Sequence, residues 1–415
     1  MNSLKPMLLT SLKSYDRSQF VKDVTAGIIV AIIALPLSIA LALASGVGPE
    51  AGIFTAIVAG FVISALGGSS VQIAGPTAAF ATIVAGIVAK DGLDGLVIST
   101  ILAGIFLILM GFCHFGSLIK FIPYTITTGF TSGIAVTIVI GQLKDFFGIT
   151  YPDGVKPIET TEKFKAFAEN ISTINTDALI VGIVSLAILI ISPMLLKRIP
   201  GSLIAVIVGS LMVQFLPLKV STIGNLYTIS NSLPSFHLPE VNVQIIQNAI
   251  PNAFTIAVLA AIESLLSCVV ADGMINGKHR SDMELVAQGA GNIASALFGG
   301  IPATGAIART AANIKNGEKD NIIYMGHAAI HTDEAKVYVN DKSIELTALE
   351  YRLLLIFASN KGILLTRQQI LDKIWDADGN FVEDNTLTVY VKRLREKLGE
   401  AIHIETVRGM GYRVD

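Results

Sequence analysis

The stretch GGIPATGAIARTAANIKNGEKD, residues 299–320, ends the apolar part of this sequence. Before it, runs such as residues 24–44 (VTAGIIVAIIALPLSIALALA) carry no charge over about 20 residues, the length that a helix needs to cross a bilayer. From Thr332 onward, charges of both signs recur every few residues, and no apolar run is long enough to span. The chain of 415 residues therefore divides into a membrane part and a water-soluble part.

The apolar part contains about ten candidate membrane spans. They are residues 24–46, 51–67, 71–89, 94–113, 119–142, 177–196, 200–216, 248–271, 284–299 and 301–315. With a cytoplasmic N-terminus, seven basic residues of the short loops lie inside, as the positive-inside rule favours. These residues are Lys120, Lys197, Arg198, Lys278, Arg280, Lys315 and Lys319. The same orientation places the soluble part in the cytoplasm.

Two of these spans are interrupted in a similar way. The third begins VQIAGPTA at residues 71–78, and the tenth begins GIPATGA at residues 300–306. Each has Gly, Pro and Thr where a continuous helix would have Leu or Val. Such matching interruptions are typical of transporters in which short half-helices begin near the middle of the membrane. The alternative is a pair of kinks stabilised by neighbouring helices.

Two half-helix starts that face each other would make a site for an anion, because each offers free N–H groups and a partial positive charge. Arg309 lies one turn into the second half-helix, where a guanidinium is costly unless it faces an anion, a carboxylate or water. Glu263 is the expected charge partner, and it is also a candidate ligand for a coupling cation or proton. Alternatively, Arg309 and Glu263 only neutralise each other.

Residues 34–80 and 262–317 carry a specific resemblance. The segments ALPLSIALALASGVGPEAGIFTAIVAGFVISALGGSSVQIAGPTAAF and IESLLSCVVADGMINGKHRSDMELVAQGAGNIASALFGGIPATGAIARTAANIKNG resemble the SulP family of sulfate permeases and related anion transporters. The resemblance extends over residues 15–319. It implies an all-α, polytopic, seven-plus-seven inverted-repeat transporter for sulfate, bicarbonate or a dicarboxylate, in the inner (cytoplasmic) membrane of a bacterium.

The same resemblance places the anion between the third and tenth spans. The matching positions are Gly75, Pro76, Thr77, Ala78, Ala79, Thr304, Gly305, Ala306 and Arg309, with Pro36, Ser38 and Glu263 nearby. A family member would continue with four more spans and usually a STAS domain, which this sequence lacks. Alternating access by this chain alone is therefore not expected.

The soluble part has the local signals of a small α+β domain. Residues 337–339 and 344–346 are predicted strands on either side of Asn340-Asp341. Thr347 with Glu350, and Thr366 with Gln369, are capping boxes that open two helices, ending at about Ser359 and Trp375. A third helix is predicted over residues 385–398, followed by a hairpin around residues 408–411.

The third helix has an apolar face of Leu387, Val391, Leu394 and Leu398, which predicts burial. Its opposite face is basic and suits a DNA major groove. The segments ELTALEYRLL, LTRQQILDKIW, NTLTVYVKRLREKL and IETVRGMGYR resemble the OmpR/PhoB-type winged-helix DNA-binding domain. That resemblance implies that residues 385–398 are the recognition helix, with Arg393 on a base, Lys392 and Arg395 on phosphates and Arg408 in a wing. Thr388 and Val389 complete the expected DNA-binding set.

The predicted organisation is a membrane domain over residues 1–320, a junction over 321–332 and a winged-helix domain over 333–415. The expected partners are an inorganic anion or dicarboxylate, lipid, double-stranded DNA and a second copy in a homodimer. No nucleophile–base pair, phosphate loop or metal-ligand spacing occurs, so no enzyme activity, metal or cofactor is expected. Three explanations remain open: a membrane-tethered transcription regulator with a transporter-derived sensor, a transporter completed by another polypeptide, and an accidental fusion of two genes.

Overall fold

The computed structural model of the chain consists of two compact units, Met1–Gly317 and Glu318–Asp415. It describes residues 4–121, 124–152, 154–155, 157–195, 201–227, 229, 233–239, 242–275, 277–317, 322–331, 336–339, 342–358, 360–375, 384–407 and 409–414.

The first unit is helical apart from two very short strands. Its helices are α1 Leu8–Ser11, α2 Arg17–Ala44, α3 Pro49–Leu66, α4 Ala81–Phe112, α5 Tyr124–Phe146, α6 Thr160–Glu169, α7 Thr176–Leu195, α8 Gly201–Phe215, α9 Ile223–Leu226, α10 Val243–Ile275, α11 Ser281–Leu297 and α12 Ile307–Gly317. The strands are β1 Ala74–Gly75 and β2 Thr304–Gly305. All ten expected spans coincide with helical segments, with boundaries that differ by a few residues outside the two interrupted spans.

Four helical segments of the described chain are long and apolar enough to cross a membrane. They are Arg17–Ala44, Pro49–Leu66, Ala78–Phe112 and Val243–Ile275, and shorter apolar helices cover Thr176–Ser192 and Gly201–Phe215. Helix α4 contains both the third and the fourth expected spans. Gly92 separates them, because its φ of 71° and ψ of −171° are not helical and φ values in this range favour glycine.

Both interrupted spans begin as extended chain. Residues 74–75 form β1, a 3-10 turn covers Ala78–Phe80, and α4 follows at Ala81. Residues 304–305 form β2, and α12 follows at Ile307. The predicted interruptions are therefore present at the beginning of both spans, and the helices begin only at Ala81 and Ile307.

The core of the first unit lies between α4, α10 and α11. Buried residues include Leu107 on α4, Ile256 on α10 and Leu285 on α11. Helices α4 and α11 approach closely, since a Cβ atom on Gly104 would lie 2.6 Å from the carbonyl oxygen of Gly289. The interrupted segments are therefore packed against a rigid group of helices, because packed interiors deform little.

The described residues of the second unit form two small sheets and three helices. A four-stranded antiparallel sheet has the order β3-β4-β5-β6, and a three-stranded sheet has the order β7-β9-β8. The elements are β3 Ile322–Met325, β4 Ala328–His331, β5 Lys336–Val339, β6 Lys342–Ile344, α13 Ala348–Ala358, β7 Leu365–Thr366, α14 Arg367–Trp375, α15 Asp384–Leu398, β8 Ile404–Val407 and β9 Gly411–Val414. The three predicted helices and the final hairpin are confirmed.

The local signals of the second unit are present as expected. The Thr347 amide donates to Glu350 at 2.8 Å, and the Glu350 amide donates to the Thr347 hydroxyl at 3.4 Å. The Thr366–Gln369 box is also formed, at 2.9 and 3.2 Å. All four residues of the apolar face of α15 are buried. This unit therefore has its own hydrophobic core, which includes Ile330, Leu353 and Phe357.

The predicted junction over residues 321–332 was wrong. Residues 322–331 form β3 and β4, and Met325 and Ile330 are buried in the core of the second unit. Four residues, 318–321, separate the last residue of α12 from the first residue of β3. The second strand of the predicted pair also shifts, since Val339 pairs with Lys342, and residues 345–346 follow β6.

Candidate functional site

The two interrupted segments of the first unit meet as an antiparallel strand pair. Ala74 lies opposite Gly305, and Gly75 lies opposite Thr304. The Ala306 amide donates to the Ile73 carbonyl at 2.8 Å and extends the pairing by one residue. The 3-10 turn before α4 and the first turn of α12 follow directly from these paired strands. Two helix starts of the kind that bind anions are thus next to each other.

Arg309 lies in the first turn of α12 and is 3% exposed. Its Nη2 donates to the Pro76 carbonyl at 3.0 Å. A Cβ atom on Gly75 would clash with Arg309 Nη1, so the glycine leaves room for the guanidinium. The buried Nε and Nη1 atoms have no acceptor among the described residues. Arg309 therefore keeps donors at the strand pair that no described residue satisfies.

Glu263 does not pair with Arg309. Its Oε2 accepts a hydrogen bond from the Thr77 hydroxyl at 2.9 Å, and no ion pair of the described chain joins it to Arg309. The expected charge partnership was wrong, because Glu263 is bound to Thr77 and Arg309 to the Pro76 carbonyl. The alternative in which the two charges only neutralise each other is excluded for the same reason.

The other residues expected at this site lie on the same two segments. Gly75, Pro76, Thr77, Thr304 and Gly305 are buried, and Ala78, Ala79 and Ala306 are half-buried. The Thr304 hydroxyl donates to the Ala260 carbonyl of α10 at 3.1 Å. In the first span, Ser38 is fully buried and its Oγ has no partner among the described residues.

A group of buried polar side chains behind the strand pair was not expected. Gln72 Nε2 donates to Ser264 at 2.7 Å and to Glu284 at 2.7 Å. Thr310 and Asn313 of α12 bind the backbone of residues 71–73, at 3.0 and 2.9 Å. The available signal was the presence of amides, hydroxyls and one carboxylate within apolar segments, where an unsatisfied polar group is costly.

The second unit presents a partly basic face on α15. Lys392 and Arg393 are exposed, and Val389 is 46% exposed. Lys392 pairs weakly with Glu396 at 3.8 Å, while the Arg393 guanidinium lies 5.8 Å from the centre of the Tyr390 ring. These contacts are all within one helix, so both basic side chains stay accessible at its surface.

Arg395 and Thr388 are less available than the sequence predicts. Arg395 donates to the Ile404 carbonyl at 3.0 and 2.6 Å and to the Thr406 hydroxyl at 2.6 Å. The Thr388 hydroxyl accepts from Arg367 at 2.9 Å. The outward orientation expected for Arg395 was wrong, because its guanidinium is bonded to β8. Arg408, expected in the wing, lies outside the described residues.

Among the described residues, no group of three or more His, Cys, Asp or Glu side chains could hold a metal ion. The arrangement therefore offers two separate capacities. One is an anion-binding geometry at the strand pair of the first unit, and the other is an exposed basic helix face in the second unit.

Comparisons with known proteins agree with this division. The sulfate permease family matches residues 20–330, and the C-terminal domain of transcriptional regulatory proteins matches residues 341–414. Residues of this chain are 41% identical to the putative sulfate transporter YvdB of Bacillus subtilis over 324 residues, covering 77% of this chain and 60% of YvdB. They are 34% identical over 306 residues to the bicarbonate transporter BicA of Picosynechococcus, covering 71% of this chain and 53% of BicA.

A solved structure is also similar. The transmembrane domain of a cyanobacterial bicarbonate transporter BicA superimposes with a TM-score of 0.65 at 30% identity, covering 74% of this chain and 79% of that domain. The chain spans about half to three fifths of the length of the curated relatives it matches, at 53% and 60%. None of these relatives is described as an enzyme. The chain belongs to the sulfate permease family of membrane transporters and carries, after residue 340, a DNA-binding domain of the OmpR/PhoB type.

Proposed function

We propose that the first unit binds an inorganic anion between residues 73–77 and the first turn of α12. The observation that carries this proposal is Arg309, which is 3% exposed and has two guanidinium nitrogens, Nε and Nη1, without an acceptor among the described residues. A buried charge without a partner is strongly destabilising, and an anion would supply the missing charge and acceptors. The adjacent helix starts would add backbone donors and partial positive charge.

Sulfate and bicarbonate are the first candidates for this anion, and a dicarboxylate is the third. Two relatives carry sulfate and bicarbonate in their names. Both ions present several oxygen acceptors, which suits a guanidinium with two free donors. Glu263 lies near the site through its bond to Thr77 and would bind a coupling cation or a proton.

The test is anion binding by the purified full-length chain in detergent, measured by isothermal titration calorimetry with sodium sulfate and with sodium bicarbonate. We expect Arg309→Gln to raise the Kd at least about tenfold, because it removes the buried charge and its free donors. The Kd of Arg309→Lys should lie between the values of the unchanged protein and of Arg309→Gln, because lysine keeps the charge but loses the fork-shaped donor set.

Arg280 provides a matched control for this test. Its guanidinium already donates to the carbonyl oxygens of Lys5 and Pro6, at 2.8 and 3.2 Å, and to the Thr10 hydroxyl at 2.9 Å. Arg280→Gln should leave the Kd unchanged. Equal Kd values for Arg309→Gln and the unchanged protein would refute the proposed site.

We propose separately that the first unit moves the anion through the bilayer, which is supported by the names of the relatives, since these describe transporters. An inverted repeat, a homodimer and a location in the inner membrane of a bacterium are further proposals. Uptake of radiolabelled sulfate or bicarbonate into proteoliposomes tests the movement of the anion. Uptake above that of empty vesicles supports transport by this chain alone, and its absence beside intact binding argues for a sensor.

We propose as a second function that the second unit binds double-stranded DNA. The supporting observation is the exposed face of α15, where Lys392, Arg393 and Val389 are accessible while the opposite face is buried. A helix with one exposed basic face and one buried apolar face can enter a major groove, where Arg hydrogen-bonds to a base edge and Lys binds a phosphate. Binding of residues 318–415 to a library of random duplexes, followed by sequencing, tests the proposal and yields the target sequence.

Together the two proposals describe a membrane-tethered DNA-binding protein with an anion site, its second unit on the cytoplasmic side. The positive-inside rule supports this reading, since Lys278, Arg280 and Lys315 lie on the same side as the second unit. Release of the second unit by a protease that enters only from the cytoplasmic face of oriented vesicles tests the placement.

A further inference from the structure

Helix α11 carries a line of three buried polar side chains, Glu284, Gln288 and Asn292, which we name the polar stripe. All three side chains are 0% exposed. Their spacing of four residues places them on one face of the helix. The Gln288 side chain donates to Glu284 at 2.9 Å, and the Asn292 side chain donates to the main-chain carbonyl of Gln288 at 2.8 Å.

One end of the polar stripe binds the segment that leads into β1. Glu284 Oε1 accepts from Gln72 at 2.7 Å, and Glu284 Oε2 accepts from the Gly68 amide at 2.9 Å. Ser264 of α10 donates to the same Oε1 at 3.1 Å. The carboxylate thus accepts hydrogen bonds and has no cation beside it in the described chain. Its role there is geometric, because each bond fixes the direction of a donor.

The other end of the polar stripe binds the segment that leads into β2. Asn292 donates to the Ala303 carbonyl at 2.9 Å and accepts from the Ala303 amide at 2.9 Å. This reciprocal pair imitates the pairing of a neighbouring strand and holds Ala303 in one orientation. Thr304 and Gly305 follow directly in β2. A single helix face therefore fixes the approach to both strands.

The two segments that the polar stripe binds meet at Gly305. A Cβ atom on Gly305 would clash with the side-chain amide of Gln72, so that amide lies directly against β2. Gln72 Oε1 accepts from the Cys268 thiol at 2.8 Å, which fixes the amide from its other side. The glycine is thus needed for close approach rather than for a turn. The position of Gln72 sets how the strand that precedes α4 lies against the strand that precedes α12.

We propose that the polar stripe is the element that positions the anion site, with Glu284 as a positioning residue that acts through Gln72. The inference rests on the proposed anion site between the two strands. A binding site requires its donors to be held within a fraction of an ångström, and buried hydrogen-bonded side chains behind it supply that rigidity. Glu284 touches no part of the proposed anion position itself.

The first measurement is the sulfate Kd of the full-length chain by isothermal titration calorimetry. Glu284→Gln replaces one carboxylate oxygen by an NH2 group, which then faces either the Gly68 amide or the amide groups of Gln72 and Gln288, and we expect it to raise the Kd about tenfold. The double variant Glu284→Gln/Gln72→Glu exchanges the carboxylate and the amide between the two positions. It restores a donor facing an acceptor there and should recover most of the affinity for sulfate. Asn292→Asp removes the donor to Ala303 and should weaken binding from the other end.

The second measurement does not depend on any anion. Cys268 is buried beside Gln72, and in a Cys113→Ser background it is the remaining thiol of the chain. We expect Glu284→Gln to increase its rate of alkylation by a small maleimide several-fold, since Gln72 is released, and the double variant to return it. Thr100→Val is the matched control, because the buried Thr100 hydroxyl bonds to the Leu96 carbonyl of its own helix at 2.7 Å.

The two measurements separate the outcomes. An unchanged sulfate Kd in Glu284→Gln and Asn292→Asp overturns the positioning role, even where alkylation accelerates. An unchanged alkylation rate in Glu284→Gln overturns the link through Gln72. Absence of sulfate and bicarbonate binding by the unchanged protein refutes the proposed function instead, and the alkylation rates then decide by themselves whether Glu284 holds Gln72.

Discussion

The Thr77 hydroxyl donates to a carboxylate oxygen of Glu263 at 2.9 Å and so ties the turn before α4 to α10. A carboxylate within an apolar helix is stable only where donors compensate its lost hydration. Here a hydroxyl from the neighbouring segment supplies such a donor, and Arg309 does not. The guanidinium therefore keeps its free donors for another acceptor.

Removal of this hydroxyl should destabilise the first unit. We expect Thr77→Val to lower the free energy of unfolding by about 1–3 kcal/mol, because it leaves a buried carboxylate with fewer donors. Unfolding in sodium dodecyl sulfate, followed by far-ultraviolet circular dichroism, measures the change. Thr77→Ser keeps the hydroxyl and should stay close to the unchanged protein. Equal losses in both variants would show that the methyl group, not the hydrogen bond, matters.

Substitutions on α15 should separate base contacts from phosphate contacts. We expect Arg393→Ala to cost about 1–3 kcal/mol of DNA-binding free energy and to relax preference at one base position. Lys392→Ala should weaken all sequences alike and reduce the slope of log K against log salt by about one. Fluorescence anisotropy with the selected duplex at several salt concentrations measures both. Lys342→Ala, at an exposed site on β6, should change neither.

Arg395 should behave differently from its two neighbours. Because its guanidinium is bonded to Ile404 and Thr406, Arg395→Ala should lower the stability of residues 318–415 by about 1–3 kcal/mol. Urea unfolding measures this effect. Unchanged stability together with a reduced slope of log K for DNA binding against log salt would instead support the phosphate contact predicted for Arg395 from the sequence.

The first strand of the second unit should be needed for its stability. A fragment of residues 318–415 contains β3, whereas a fragment of residues 326–415 lacks it and also lacks Met325, which is 1% exposed in the core. Loss of a buried Met side chain alone costs roughly 2–5 kcal/mol. We expect a cooperative urea transition for the longer fragment and a much lower midpoint for the shorter one. Equal urea midpoints for the two fragments would show that β3 contributes nothing to the stability of the second unit.

Acid should weaken the second unit through Glu350. Burial raises the pKa of this carboxyl, but hydrogen bonds from Lys397 and Thr347 outweigh it, and the net pKa is below the ordinary value of 4.5. A lowered folded pKa means that its stabilisation is fully present above pH 4.5 and is lost as the pH falls through the folded value. Urea midpoints of residues 318–415 between pH 7 and pH 3 measure the loss. Glu350→Gln should flatten this part of the profile, and an unchanged slope would contradict the assignment.

The short connector, residues 318–321, should lower the affinity of the full chain for DNA at an anionic membrane. Residues 318–321 allow at most about 18 Å between Gly317 and Ile322, because a fully extended chain gains about 3.6 Å per residue. DNA bound by the full chain then comes close to anionic lipid, which repels it. We expect residues 318–415 to bind DNA more tightly than the full chain in anionic vesicles. Equal affinities at matched salt would show that the short connector has no such effect.

Local patterns in the sequence predicted the second unit well. The Thr347 and Thr366 capping boxes and the apolar face of α15 depend on residues three or four apart, which are fixed by helix geometry alone. The strands β3 and β4 were missed, because four-residue strands joined at Gly326 leave little periodicity to detect. The engagement of Arg395 with β8 depends on tertiary packing.

In the first unit, the positions of the interruptions followed from their Gly, Pro and Thr residues, but the partners of the charges did not. Charge complementarity favoured Arg309 with Glu263, yet the choice between a carboxylate, a carbonyl and a hydroxyl depends on where each segment comes to lie. The predicted span over residues 284–299 places Glu284 at its edge, although the spacing of Glu284 with Gln288 and Asn292 indicates one polar helix face.

The free donors of Arg309 have a consequence for identifying the natural ligand. An ion that satisfies them binds the folded state and not the unfolded chain, so by mass action it raises the melting temperature, and at equal concentration the rise grows with the logarithm of its affinity. An ion present at a hundred times its Kd contributes about 2.7 kcal/mol in this way. Ranking sulfate, bicarbonate and a series of dicarboxylates by the melting temperature they confer, with Arg309→Gln as the blank, would therefore select the physiological anion without any flux measurement.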